Sequence, residues 1–141
     1  MMTTINNTHQ VKGNHINCGF TLRNCTTPFN YTYDVGVWFP AVGSSVTYGY
    51  LPYLKGNICT SEKPVGYALP LVVISSGYAG TLYDQSYLAE ELAKSGFLVV
   101  SVSHTEFDGN KTLGCERAWY RSCEVKNAID TTIKLKGENY V

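Results

Sequence analysis

Leu71-Val72-Val73-Ile74 is an unbroken apolar run rich in β-branched residues, and two serines, Ser75 and Ser76, stop it abruptly. A run of this length between turn signals reads as a strand buried on both faces, as in a parallel sheet. Phe97-Leu98-Val99-Val100-Ser101-Val102 repeats the pattern and ends at Ser103-His104. Between the two runs, Asp84 is a suitable N-cap, Tyr87, Leu88 and Leu92 form an apolar stripe, and Gly96 suits a left-handed C-cap. Strand, helix and strand with short links make a βαβ unit, hence parallel strands and a right-handed crossover. The loop Ser75–Gly80 then lies at the carboxyl end of a strand, where open α/β sheets place their ligands.

Upstream, Tyr31 to Phe39 alternates cleanly. Tyr31, Tyr33, Val35, Val37 and Phe39 share one face, and Pro40 is expected to close the strand. Residues 41–68 carry Gly, Ser and Pro with Tyr48, Tyr50, Tyr53 and Tyr67, and read as a tyrosine-rich loop, a surface insertion packed by its own aromatics. A last helix is expected from Arg117 to Lys136. Val125, Ala128, Ile129, Thr132 and Ile133 fall at three-and-four spacing, and Gly137 stops it. Residues 1–15 are polar and Asn/Thr-rich, and read as a loose terminus.

With 141 residues the chain suits one domain, and 11 basic against 11 acidic residues leave no net charge. That argues against nucleic acid, whose phosphates need a basic surface. No apolar run approaches the roughly 20 residues of a membrane span, and no signal peptide is visible at Met1–Asn7. The cysteines at 18, 25, 59, 115 and 123 show no C-x-x-C and no histidine cluster, so neither a metal nor a cofactor is expected. Cys18/Cys25 and Cys115/Cys123 are spaced for local disulfides, the alternative being free thiols. Four N-x-S/T sequons, at Asn6, Asn24, Asn30 and Asn110, suit secretion. Secreted and cytoplasmic locations both stay open.

Four stretches follow one another in a telling order: Val35-Gly36-Val37-Trp38-Phe39-Pro40-Ala41, then Pro70 to Gly80, then Tyr87 to Phe97, then Val99 to His104. They resemble the amino-terminal half of an α/β-hydrolase of the dienelactone-hydrolase and platelet-activating-factor-acetylhydrolase type, whose members read "vwyPa", "PlvvlSHGxgG", "LAxxGyvVaxvdH" and an arginine helix R-x-x-D-x4-L-D. Arg121, Glu124, Ile129 and Asp130 match that helix with conservative changes. The resemblance implies an α/β fold: a partial α/β-hydrolase sheet, mostly parallel at its centre, with the first four strands and first two main helices. Residues 16–141 would be the amino-terminal half of such a domain. It also implies that the backbone N–H of Tyr78 serves an oxyanion hole, with Ser76, Gly77, Ala79 and Gly80 supporting the loop. Ser76 departs from the family, where histidine is usual.

No G-x-S-x-G elbow occurs; Gly43-Ser44-Ser45-Val46-Thr47 comes nearest and lacks the closing glycine. His104 matches the end of the family's fourth strand and not its triad histidine, so it is expected at a loop or pocket edge. The sequence thus reads as a fragment of a serine hydrolase acting on carboxylic esters, with a small-molecule or lipid ester as substrate. It would carry the oxyanion loop without nucleophile, acid or base. Leu71–Ser75 would be an open edge where a missing carboxyl-terminal half pairs. On the sequence alone, the chain is expected to be inert toward p-nitrophenyl acetate and fluorophosphonates. The alternative is a non-catalytic α/β module. A rival within the chain makes Ser75 or Ser76 a nucleophile activated by His104, with Glu106 or Asp108 orienting the histidine. Nucleotide binding lacks both G-x-G-x-x-G and a P-loop lysine.

Overall fold

A computed structural model describes residues 16–27, 30, 32–60, 64–66, 68–77, 80–104 and 118–134. Among them six strands and two helices follow one another: β1 (Ile16–Thr26), β2 (Thr32–Val42), β3 (Ser45–Leu51), β4 (Leu54–Cys59), β5 (Leu71–Ser75), α1 (Ser86–Lys94), β6 (Leu98–Val102) and α2 (Ala118–Lys134). The strands form one sheet in the order β3-β4-β1-β2-β6-β5.

This corrects the expected fold class. The sheet is mixed and largely antiparallel, with two helices, and does not match a parallel α/β-hydrolase sheet. Among the described residues, parallel pairing is confined to β5/β6 and to a single bridge, Gly19 to Cys59, between β1 and β4. The long β1/β2 ladder, β2/β6 and β3/β4 are all antiparallel. The β1/β2 and β2/β6 ladders carry most of this, and the stretch 41–68, expected as a loop, adds a further antiparallel hairpin, of which 45–51 and 54–59 are the strands. Its alternation was masked by Gly49 and by Pro52, which lies in the turn between the two strands.

The strand–helix–strand unit forms as expected, with Leu71 to Ser75 pairing in parallel with Leu98 to Val102. Of its expected stripe Leu92 packs against the core, but the helix otherwise turns a different face inward. Tyr87 and Leu88 are exposed, while Ser86, Ala89, Glu90 and Ala93 are buried. Small side chains let α1 approach the sheet closely, and the buried Glu90 meets the hairpin, accepting from Tyr50 Oη at 2.8 Å. Asp84 does not cap the helix. Gln85 is the N-cap residue, and the Asp84 carboxylate accepts from the backbone N–H and hydroxyl of Thr81 at 3.0 and 2.7 Å. Gly96 does take the left-handed conformation (φ 98°). Pro40 stays within β2 instead of closing it. β6 pairs with β2 only as far as Trp38, and beyond it the Pro40 carbonyl accepts from Val65 N–H at 2.7 Å with no strand ladder on that side, so a residue without an N–H is tolerated.

Period-two alternation sorts the core into two layers. Trp38, Val72, Ile74 and Val99 face α1 with Cys18, Tyr50 and Ile58. Tyr33, Val35, Val73, Val100 and Val102 face α2 with Ala128. Cys18 and Cys25 are both free, which corrects the disulfide expectation. Seven residues apart on one extended strand, they are separated by roughly 23 Å and lie on opposite faces. Cys123 lies on α2, while Cys115 is outside the described residues.

Burial, reinforced by the charge of Glu90, pushes the Cys18 thiol from its ordinary 9.0 up to about 12. An unfolded thiol ionises first, so this group's contribution is complete below pH 9 and is lost as pH rises toward 12. The melting temperature is therefore expected to fall between pH 8.5 and about 10.5. Cys18→Ala should show a smaller fall than the wild type; equal slopes would remove Cys18 from this account.

Candidate functional site

The same alternation that builds the core also builds a polar cluster. Residues 71, 73 and 75 of β5 point their side chains to the α2 face, as do residues 98, 100 and 102 of β6. Two residues beyond Val102, His104 continues that side. Ser75 and His104 thus emerge together at the carboxyl ends of the parallel pair, and Ser75 Oγ lies 2.7 Å from His104 Nε2. On the other side of the ring, His104 Nδ1 lies 2.7 Å from Glu124 Oε2.

Glu124 reaches this position because α2 packs on the sheet through residues 124, 128 and 132, a stripe at four-residue spacing. Tyr33 of β2 fixes the helix there, its hydroxyl lying 3.0 Å from the Glu124 carbonyl and 2.6 Å from Asn127 Oδ1. Burial raises the Tyr33 hydroxyl above its ordinary value, with Cys25 and Glu124 adding to the shift, so it remains a neutral donor. The side chains of His104 and Glu124 are 2% and 3% exposed, whereas Ser75 is an exposed residue. An ionised carboxylate can only accept, so Glu124 fixes the proton on Nδ1 and leaves the Nε2 lone pair to accept from the Ser75 hydroxyl.

One helical turn before Glu124, Arg121 reaches the loop that follows Ser75. Its Nη1 donates to the Ser76 carbonyl at 2.7 Å and its Nη2 to the Gly77 carbonyl at 3.1 Å. In a trans peptide the N–H opposes the preceding carbonyl, so tying Ser76 C=O to α2 turns the Gly77 N–H away from it. Gly80 N–H donates to the Gly77 carbonyl at 3.0 Å. A Cβ at Gly80 would come within 2.5 Å of Asp84 Oδ2 and 3.0 Å of Ser76 Cβ, so the turn needs glycine. Ser76, at the position where the resembled family has histidine, is buried, and its hydroxyl has no partner among the described residues.

Tyr78 and Ala79, the expected oxyanion donor and its neighbour, lie outside the described residues, as do Glu106 and Asp108. Ser76, Gly77 and Gly80 form the clamped turn. His104, expected at a pocket edge, is instead enclosed between Ser75 and Glu124. Glu124 was named only as a match to the arginine helix; a carboxylate four residues before Ala128 on the packing stripe is the signal that could have found it.

A separate cavity of about 270 Å³ lies on the α2 face, walled by Val35, Val37, Phe39 and Leu98. Among the described residues no group of His, Cys, Asp and Glu is placed to hold a metal ion. None of their helices is long and apolar enough to cross a membrane. No protein-family model matches the sequence, and neither a curated relative nor a solved structure does.

Proposed function

We propose that this chain takes part in the hydrolysis of carboxylic esters by a serine mechanism, its loop Ser76–Gly80 stabilising the oxyanion. The observation that carries this reading is the hydrogen-bonded run Ser75–His104–Glu124 beside that clamped loop. Serine, imidazole and carboxylate in this order, joined through the two ring nitrogens, are the groups acyl transfer uses to move a proton. Backbone amides of a loop held by Arg121 are donors whose orientation is set before reaction, which is what oxyanion stabilisation requires. The donor implied by the motif resemblance is the Tyr78 amide. The substrate class, a small or lipid carboxylic ester, rests on the same resemblance.

A second reading is favoured by the position of β5. Among the described residues it forms the sheet edge, and its sequence is apolar up to Ser75. Leu98 N–H donates to the Pro70 carbonyl, so by the parallel pattern the amides of Val72 and Ile74 face β6 and those of residues 71, 73 and 75 face outward. Here a separate segment pairs with β5 and brings its own nucleophile, while Ser75–His104–Glu124 only props the loop. A chain that does this without reacting would be the non-catalytic module.

Methylphosphonate, a tetrahedral anion, tests the oxyanion role wherever the nucleophile lies. It is expected to shift the amide resonances of Gly77 and Tyr78 saturably, and Arg121→Met should weaken its binding about tenfold, the equivalent of one charge-assisted contact. Shifts no larger than those of amides remote from the loop would overturn the oxyanion role.

A further inference from the structure

We propose that Ser75 is itself the nucleophile, with His104 as general base and Glu124 as the positioning acid, so that the chain carries a complete proton relay. This rests on the ester-hydrolysis reading above and reverses one part of the sequence-based expectation, that the nucleophile lies outside the chain. Three observations carry it. The two contacts are both 2.7 Å and use the correct ring atoms, Nε2 toward serine and Nδ1 toward the carboxylate. The relay is graded in exposure, with the histidine and glutamate side chains enclosed and the serine open to solvent. Finally, the backbone N–H and C=O of Ser75 face the unpaired side of β5, so no strand among the described residues blocks an approach from that edge.

The steps balance without a further reagent. Ser75 Oγ forms a bond to the ester carbonyl carbon as its proton passes to His104 Nε2, and the carbonyl electron pair moves onto oxygen. Collapse of this tetrahedral species breaks the bond to the alkoxy oxygen, which takes the proton from Nε2 and leaves as the alcohol. Water then attacks the acyl-Ser75 carbonyl and gives a proton to Nε2. A second collapse releases the carboxylic acid and returns that proton to Ser75. Glu124 keeps Nδ1–H in place and balances the imidazolium charge throughout, without itself being protonated.

The test is a fluorophosphonate, with the adduct located by mass spectrometry, alongside p-nitrophenyl acetate hydrolysis. One label per chain is expected on Ser75. Ser75→Ala should abolish it and lower ester turnover by about 10³-fold or more. Ser44→Ala, in the stretch nearest to G-x-S-x-G, should change neither. Ser75 is exposed, so its alanine variant should fold, and an unchanged circular dichroism melt checks this. Labelling of another residue, or turnover surviving in Ser75→Ala, would overturn the proposal. If nothing labels while methylphosphonate still shifts the loop amides, Ser75 is not the nucleophile and the ester-hydrolysis reading stands. If neither occurs, both fall.

Discussion

Glu124→Gln should lower kcat for ester hydrolysis by about 10⁴-fold while leaving KM nearly unchanged. The substitution conserves shape, so Tyr33 can still hold α2 through the residue-124 carbonyl. It changes what the side chain can offer His104. A glutamine can turn its NH₂ toward Nδ1, which places the ring proton on Nε2 and removes the acceptor that Ser75 needs. Even with the oxygen turned inward, a neutral amide does not balance the imidazolium formed during reaction. The wild-type ring should show ¹⁵N shifts of an Nδ1–H tautomer with a far-downfield proton resonance, and the variant should lose both. Glu124→Asp, which keeps the charge, should recover part of the rate. Loss of the tautomer signature with full activity would leave Glu124 a packing residue and nothing more.

The cost to stability should be modest beside this. A buried charge-assisted hydrogen bond is worth roughly 1.5–3 kcal/mol, and the amide can replace part of it. A fall in activity explained by unfolding would appear equally as a lost melt. An effect on catalysis alone leaves the melt close to that of the wild type.

The relation between sequence and structure differs from one element to the next. Leu71 to Ser75 and Leu98 to Val102 were legible because a buried strand needs little beyond a short apolar run with defined stops. The partner face of α1 was not. Leu88 and Tyr87 dominate a hydrophobic stripe read from sequence, whereas packing chose Ala89 and Ala93, which permit close approach, together with a buried carboxylate. The hairpin of β3 and β4 was hidden because alternation over so few residues is easily broken by one glycine and one proline. Once paired, Tyr50 turns inward and Val46 and Tyr48 remain half open. The cluster at Ser75 illustrates the limit for sites. Ser75 and His104 could be paired from strand alternation alone, because both end parallel neighbours on one face. The acid could not, since its choice depended on the rotation of α2, which sets Glu124 against His104.

Trp38→Ala is expected to destabilise the fold by about 3–5 kcal/mol, the range for deleting a large buried aromatic. Trp38 is fully buried, and its ring centroid lies 4.7 Å from that of Phe20 and 5.9 Å from that of Tyr50. Its Nε1–H donates to Tyr50 Oη at 2.9 Å; Tyr50 in turn donates to Glu90 at 2.8 Å, and the Asn57 amide reaches the other oxygen of Glu90 at 3.3 Å. Burial raises the Tyr50 hydroxyl well above its ordinary value, so it serves as a donor to Glu90 across the physiological range. The indole is therefore both the filler of this layer and the first donor of a chain that ties the hairpin to α1. Against a typical total of about 5–15 kcal/mol, losing it takes much of the stability of a domain this size. Urea titration should show a large fall in midpoint with little change in slope. Trp38→Phe, which keeps most of the volume and drops the N–H, should cost less than Trp38→Ala. Hydrogen exchange should rise first at β3 and β4, because their link to α1 runs through Tyr50 and Glu90. Because Trp38 faces α1, away from Ser75, labelling of the folded fraction should proceed at the wild-type rate. A Trp38→Ala protein that melts like the wild type would mean that the layer under α1 can collapse around the missing ring.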